Sequence, residues 1–145
     1  MSDLKDTDGI EQQYTEHPYP APISNMREQI EQGYRQGTSP GDTWHQLFPE
    51  KAYRDDLNIL IAGCGTNQAV YHALRFPNSH HYAIDVSEAS LIHVRDMIKK
   101  YDIKNLEIEK KDIVDLTHKG EFDYVISTGV IHHTKDPQQS LSKLV

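Results

Sequence analysis

Asn58-Ile59-Leu60-Ile61-Ala62 runs uncharged into Gly63-Cys64-Gly65-Thr66-Asn67-Gln68, and apolar residues at helical spacing (Ala69, Val70, Ala73, Leu74) follow directly. Few folds accept that order. A short apolar run bounded by glycines reads as a strand buried on both faces, as the strands of a parallel sheet are. The glycines let the backbone turn sharply and approach a ligand with no Cβ in the way. In an open α/β sheet such a turn sits at the carboxyl end of the first strand, where nucleotides bind. Gly-x-Gly alone occurs in many loops, so the weight falls on its surroundings.

The chain downstream repeats the same grammar. Phe76-Pro77 stops the helix that follows the glycine turn, and His80-His81-Tyr82-Ala83-Ile84 reads as a second strand ending in Asp85. Ser87 is a good helix cap, Glu88 stands in the first turn, and Lys99-Lys100 suit the negative carboxyl end. Between them Leu91, Val94 and Ile98 form the buried stripe. Leu106 to Glu109 alternates as a third strand and leads into Lys111-Asp112-Ile113; Phe122 to Ser127 is a fourth. Asp136-Pro137 opens a last helix, whose apolar face is expected to begin with Leu141, Leu144 and Val145. The order βαβαββα from Leu57 implies an α/β fold, a doubly wound, mostly parallel open sheet with strand order 3-2-1-4 and helices on both faces.

Upstream the reading is coarser. Residues 1–22 are polar, end in Pro18, Pro20 and Pro22, and read as an extended arm. Tyr14 and Tyr19 are the arm residues that can either tack it to the domain or cover a ligand pocket. Residues 23–54 read as a helical segment: Ser24 caps a helix with Met26, Ile30 and Tyr34 every fourth residue, and Gly37, Pro40 and Gly41 end it. A helical turn spans Trp44 to Phe48, with the tryptophan as a packing anchor. Residues 55–145 form the sheet domain.

Composition closes off several classes. A net charge of −7 and a pI near 5.6 argue against a broad nucleic-acid footprint. Cys64 is the sole cysteine, so no intrachain disulfide forms, which fits a cytoplasmic setting. No apolar run approaches the roughly 18 residues of a membrane span. Apart from His132 and His133, the histidines (His17, His45, His72, His80, His81, His93 and His118) show no ligand set, so no metal is expected.

Four loops at the carboxyl ends of the four strands carry the candidate chemistry. They are Gly63-Cys64-Gly65, Asp85-Val86-Ser87, Asp112-Ile113, and Ser127-Thr128-Gly129-Val130-Ile131-His132-His133. Asp85 lies about 20 residues after the glycine turn, where a carboxylate accepts two ribose hydroxyl hydrogens. Taken as an exposed loop residue, it should contribute little to stability. Asp112 can accept from an exocyclic amine, and the Ile113 backbone N–H can donate to the same ring.

Together these motifs resemble the class I S-adenosylmethionine-dependent methyltransferases, with their Rossmann-like sheet. Ile59 to Thr66 is similar to that family's glycine motif, Tyr82 to Ser87 to its ribose motif and Lys111 to Ile113 to its adenine motif. Phe122 to His133 resembles its fourth-strand motif, after which paired histidines often follow. The resemblance runs from Asn58 to the end. It implies S-adenosylmethionine as cofactor, bound by Gly63, Cys64, Gly65, Asp85, Val86, Asp112, Ile113, Ser127 and Thr128. It also implies methyl transfer to an unidentified N, O, S or C acceptor, with Tyr14, Tyr19, His132 and His133 as pocket candidates. Such a transfer depends mainly on holding donor and acceptor in line; a base, for which His132 and His133 are the candidates, is needed only when the acceptor carries a proton of high pKa. The chain departs from the family where an acidic residue often stands (Ile61) and where a third glycine does (Asn67). The first weakens a contact near the methionine part; the second is mild, since Asn tolerates positive φ.

Two other readings share these features. A dinucleotide-binding (NAD) oxidoreductase has the strand, turn and acidic residue, but wants Gly or Ala where Gln68 stands. A non-catalytic partner subunit can keep the fold without the chemistry. Domains of this family usually continue for three more strands, so a longer protein is expected, with acceptor contacts partly beyond Val145.

Overall fold

The computed structural model describes residues 20–145. Its sheet is built on β1 (Asn58–Ala62), which pairs in parallel with β2 (His80–Asp85) on one side and β4 (Tyr124–Ile126) on the other. β3 (Leu106–Lys110) adds in parallel to β2, giving the order β3-β2-β1-β4. The expected strand order holds.

Alternation along β1 divides the core in two. Ile59 and Ile61 face one side, with Ala69, Val70, Ala73, Ala83, Leu91 and Val94; Leu60 and Ala62 face the other, with Tyr82, Ile84, Ile113 and Leu116. That period of two, with both faces covered, is why the strand carries apolar residues without a break. The first face is covered by α3 (Gln68–Arg75) and α4 (Glu88–Tyr101). The second is covered by a 3-10 turn (Ile113–Asp115), the stretch to Phe122, and α5 (Pro137–Leu144). No α-helix lies between β3 and β4, as the order βαβαββα anticipates, only the 3-10 turn Ile113–Asp115.

Capping fixes the helix starts. Ser87 accepts from Ser90 N ahead of α4, and Asp136 accepts from Gln139 N ahead of α5, with Pro137 at the first position. Elsewhere the structure differs. α1 (Met26–Glu31) is capped by Asn25, which accepts from Glu28 N, rather than by Ser24. It also stops before Tyr34, because Gly33 takes φ +97°, a conformation closed to most side chains. Pro40 opens the next helix, α2 (Pro40–Leu47), instead of ending the first. On α5, Ser140 and Leu144 turn inward, while Leu141 and Val145 are exposed.

Residues 23–54 pack into the same core: Met26 and Trp44 are buried in the cluster of Ile59 and Ile61, and Trp44 Nε1 donates to Lys51 O at 2.8 Å. A bidentate pair from Arg75 to Asp42 (2.6 and 2.9 Å) fastens α2 to α3 and holds the Asp42 carboxyl below its ordinary pKa. Among the described residues no helix is long and apolar enough to cross a membrane.

Candidate cofactor site

A cleft of about 610 Å³ opens at the carboxyl ends of the strands. The sheet order places β1 between β2 and β4, so chain connections leave in opposite directions at that point and a crevice remains. Of the residues expected to bind, Gly63, Cys64, Gly65, Asp85, Val86, Asp112, Ile113 and Thr128 line it. His133 does too. Ser127 and His132 do not: the Ser127 hydroxyl is buried without a hydrogen-bond partner, and the His132 ring packs 3.8 Å from that of His133. Tyr14 and Tyr19 lie outside the described residues.

The glycine turn is built from the end of β2. Gly63 N and Cys64 N both donate to Ile84 O, at 2.8 and 3.0 Å, and Gly65 N donates to Asp85 Oδ2 at 2.8 Å. Gly63 sits at φ +75°, and a Cβ added there would stand 2.4 Å from Cγ2 of Val130 on the fourth loop. Only glycine fits both the backbone angle and the contact. Cys64 is fully buried; burial, then the nearby Asp85 charge, pushes its thiol far above its usual pKa.

Asp85 is tied more firmly than a free loop carboxylate. Its second oxygen accepts from Ser87 N at 2.8 Å, so one side chain joins the first loop to the second. Each oxygen keeps a further lone pair for a ligand hydroxyl. Asp112 likewise caps its own turn, accepting from Val114 N at 3.2 Å. Ile61, where the family often has an acid, is fully buried in the core and does not line the cleft.

Asn67 is the largest difference from expectation. Its φ is −116°, so no tolerance of positive φ is called on. Instead the side chain bonds a distant backbone: Nδ2 donates to Ala21 O and Oδ1 accepts from Ile23 N, both at 2.9 Å. Thr66 Oγ1 donates to Pro20 O. Pro20, Gln36, Gly37 and Thr38 line the cleft as well, none of them signalled by any motif. Among the described residues no group of three or more His, Cys, Asp or Glu is arranged to hold a metal ion.

The family model for the methyltransferase domain matches residues 54–145. The chain belongs to the methyltransferase-domain family. Its fold is the class I methyltransferase fold. Magnesium protoporphyrin IX methyltransferase from Synechocystis PCC 6803, solved with bound SAM, is similar to 99% of this chain and 72% of its own, with a TM-score of 0.67 at 17% identity. PKMT2 from Rickettsia typhi in complex with AdoHcy is similar to 74% of this chain and 23% of its own, with a TM-score of 0.59 at 24% identity. A probable (S)-tetrahydroprotoberberine N-methyltransferase of Papaver bracteatum is 26% identical over 102 residues, 69% of this chain and 28% of the relative. This methyltransferase domain spans less than a third of the length of the curated relatives it matches.

Proposed function

We propose that residues 55–145 of this methyltransferase domain hold S-adenosylmethionine in the cleft, with residues 23–54 packed against them, and that its methyl passes to an acceptor bound beside the fourth loop. One observation carries the reading. The three N–H groups of the glycine turn are engaged by Ile84 O and Asp85, so they form no cradle for a phosphate. Beside Lys111 and Lys135, the cleft wall carries two carboxylates, Asp85 and Asp112, suited to ribose hydroxyls and an exocyclic amine. S-adenosylmethionine has both and no phosphate, whereas NAD requires donors for its pyrophosphate.

In this reading Asp85 orients the ribose, the Ile113 N–H and the Asp112 carboxylate take the adenine edge, and Val86 packs beside it. When bound, the cofactor supplies an electrophilic methyl on a sulfonium. The chain's contribution is alignment and exclusion of water. His133, which lines the cleft, would take a proton from an acceptor that carries one. The names of the relatives span a tetrahydroprotoberberine and magnesium protoporphyrin IX, so the likeness selects no acceptor.

Calorimetric titration tests the cofactor. S-adenosylhomocysteine should bind with a defined stoichiometry and NAD should not. Tight NAD binding with no heat from S-adenosylhomocysteine would remove the reading.

A further inference from the structure

Residues 20–53 lie outside the stretch matched by the family model, yet Pro20, Gln36, Gly37 and Thr38 form part of the cleft wall. How they are held is unusual. Asn67 is 4% exposed and bonds both Ala21 O and Ile23 N, as a neighbouring strand's backbone would. Thr66, fully buried, adds the bond to Pro20 O. Buried side chains have no water to fall back on, so these bonds are close to obligatory. One helical turn on, the buried Tyr71 hydroxyl accepts from Gln36 N at 3.0 Å and Arg75 Nη1 at 2.9 Å, and lies 3.2 Å from Ser39 Oγ. Tyr124 of β4 donates to Thr38 O at 3.3 Å.

Thr66 and Asn67 directly follow β1, and Tyr124, which holds Thr38, stands on β4. Gln68, next to Asn67, donates to Thr128 on the fourth loop at 3.3 Å. Asp85, Asp112 and Ile113 belong to the β2–β3 side. With ribose on Asp85 and adenine at Ile113, the amino-acid end of the cofactor points toward the wall formed by residues 20–38. We infer that Asn67, supported by Thr66 and Tyr71, is a positioning residue that latches this wall over the methionine end of the cofactor. The inference rests on the cofactor reading above. It gives the residue standing in place of the family's third glycine a purpose that glycine cannot serve.

The test is calorimetry on the full chain and on its Asn67→Gly and Thr66→Val variants, with two ligands. S-adenosylhomocysteine carries the amino-acid part; 5′-methylthioadenosine keeps the adenine, ribose and sulfur without it. Thr66→Val should lose about tenfold in S-adenosylhomocysteine affinity, the worth of one net hydrogen bond, and Asn67→Gly, which removes two, about tenfold to a hundredfold, while both stay within about twofold for methylthioadenosine. Thr66→Val keeps the side-chain volume, and melting temperatures of both variants report their folding. Limited proteolysis should show S-adenosylhomocysteine protecting residues 20–39 in the parent and less so in the variants. Unchanged S-adenosylhomocysteine affinity overturns the inference, and so does an equal loss for both ligands, which would mean a collapsed glycine turn. A parent protein that binds neither ligand overturns the cofactor reading and this inference with it.

Discussion

Asp85 joins two loops before any ligand arrives, because its carboxylate accepts from Gly65 N and Ser87 N. Removing it therefore leaves two backbone donors short of a partner in a half-buried place. Asp85→Ala should lower the stability of the ligand-free protein by about 1–3 kcal/mol, besides weakening the cofactor. Asp85→Asn, which keeps one acceptor oxygen, should fall between. Urea unfolding of the three proteins without ligand checks the order, and an alanine variant as stable as the parent would mean the two bonds are energetically idle. The position of this carboxylate was legible in the sequence from its distance to the glycine turn. Its structural share was not, since a carboxylate after a strand end reads as an exposed loop residue, and nothing in the sequence pairs it with Gly65 N. Asn67 was hidden for a different reason: its partner is 44 residues away, in a stretch with no periodic pattern.

Between elements, one close joint presses the first loop on the fourth. Gly63 has no room for a Cβ, since Val130 Cγ2 would lie 2.4 Å from it. Gly63→Ala meets both that overlap and a positive φ, together costing about 2–4 kcal/mol. Adding Val130→Ala should recover the overlap portion and leave the backbone portion. Thermal melts of the single and double variants measure this; additive losses would show that the two loops are not in contact. The strands were legible because apolar runs closed by Gly, Asp or Ser leave little choice. The face of α5 was misread because Ser140, a small polar residue, takes the inward position that Leu141 was expected to hold. The end of α1 was misread because Tyr34 keeps the helical spacing, yet Gly33 breaks the helix first.

Across the whole molecule, the sheet wears unequal cover, and two consequences follow. The thicker side hides His72 of α3 and His81 of β2, with ring centroids 6.4 Å apart. Burial above all, then the neighbouring His81 and Arg75 charges, lowers the His72 pKa to about 3; burial lowers that of His81 to about 4. Both stay neutral in the fold while the unfolded chain takes up protons below about pH 6.5. Their stabilisation is thus complete above that pH and is lost as pH falls toward 4, on the order of 2–4 kcal/mol between pH 7 and 5. A His72→Phe variant should show a shallower fall in melting temperature over that range; an unchanged slope would place the proton uptake elsewhere. The thinner side is a matter of timing. Between β3 and β4 the chain has one three-residue turn, and Thr117, Lys119, Gly120 and Glu121 stand in solvent, yet this same stretch begins with Asp112 and Ile113 of the cleft. Backbone amides there should exchange with deuterium well before those of β1, and a bound ligand should slow them. Warmed slowly, the protein would then lose this wall of the cleft while the sheet behind it is still intact, so the temperature that silences the site would sit below the one that melts the domain.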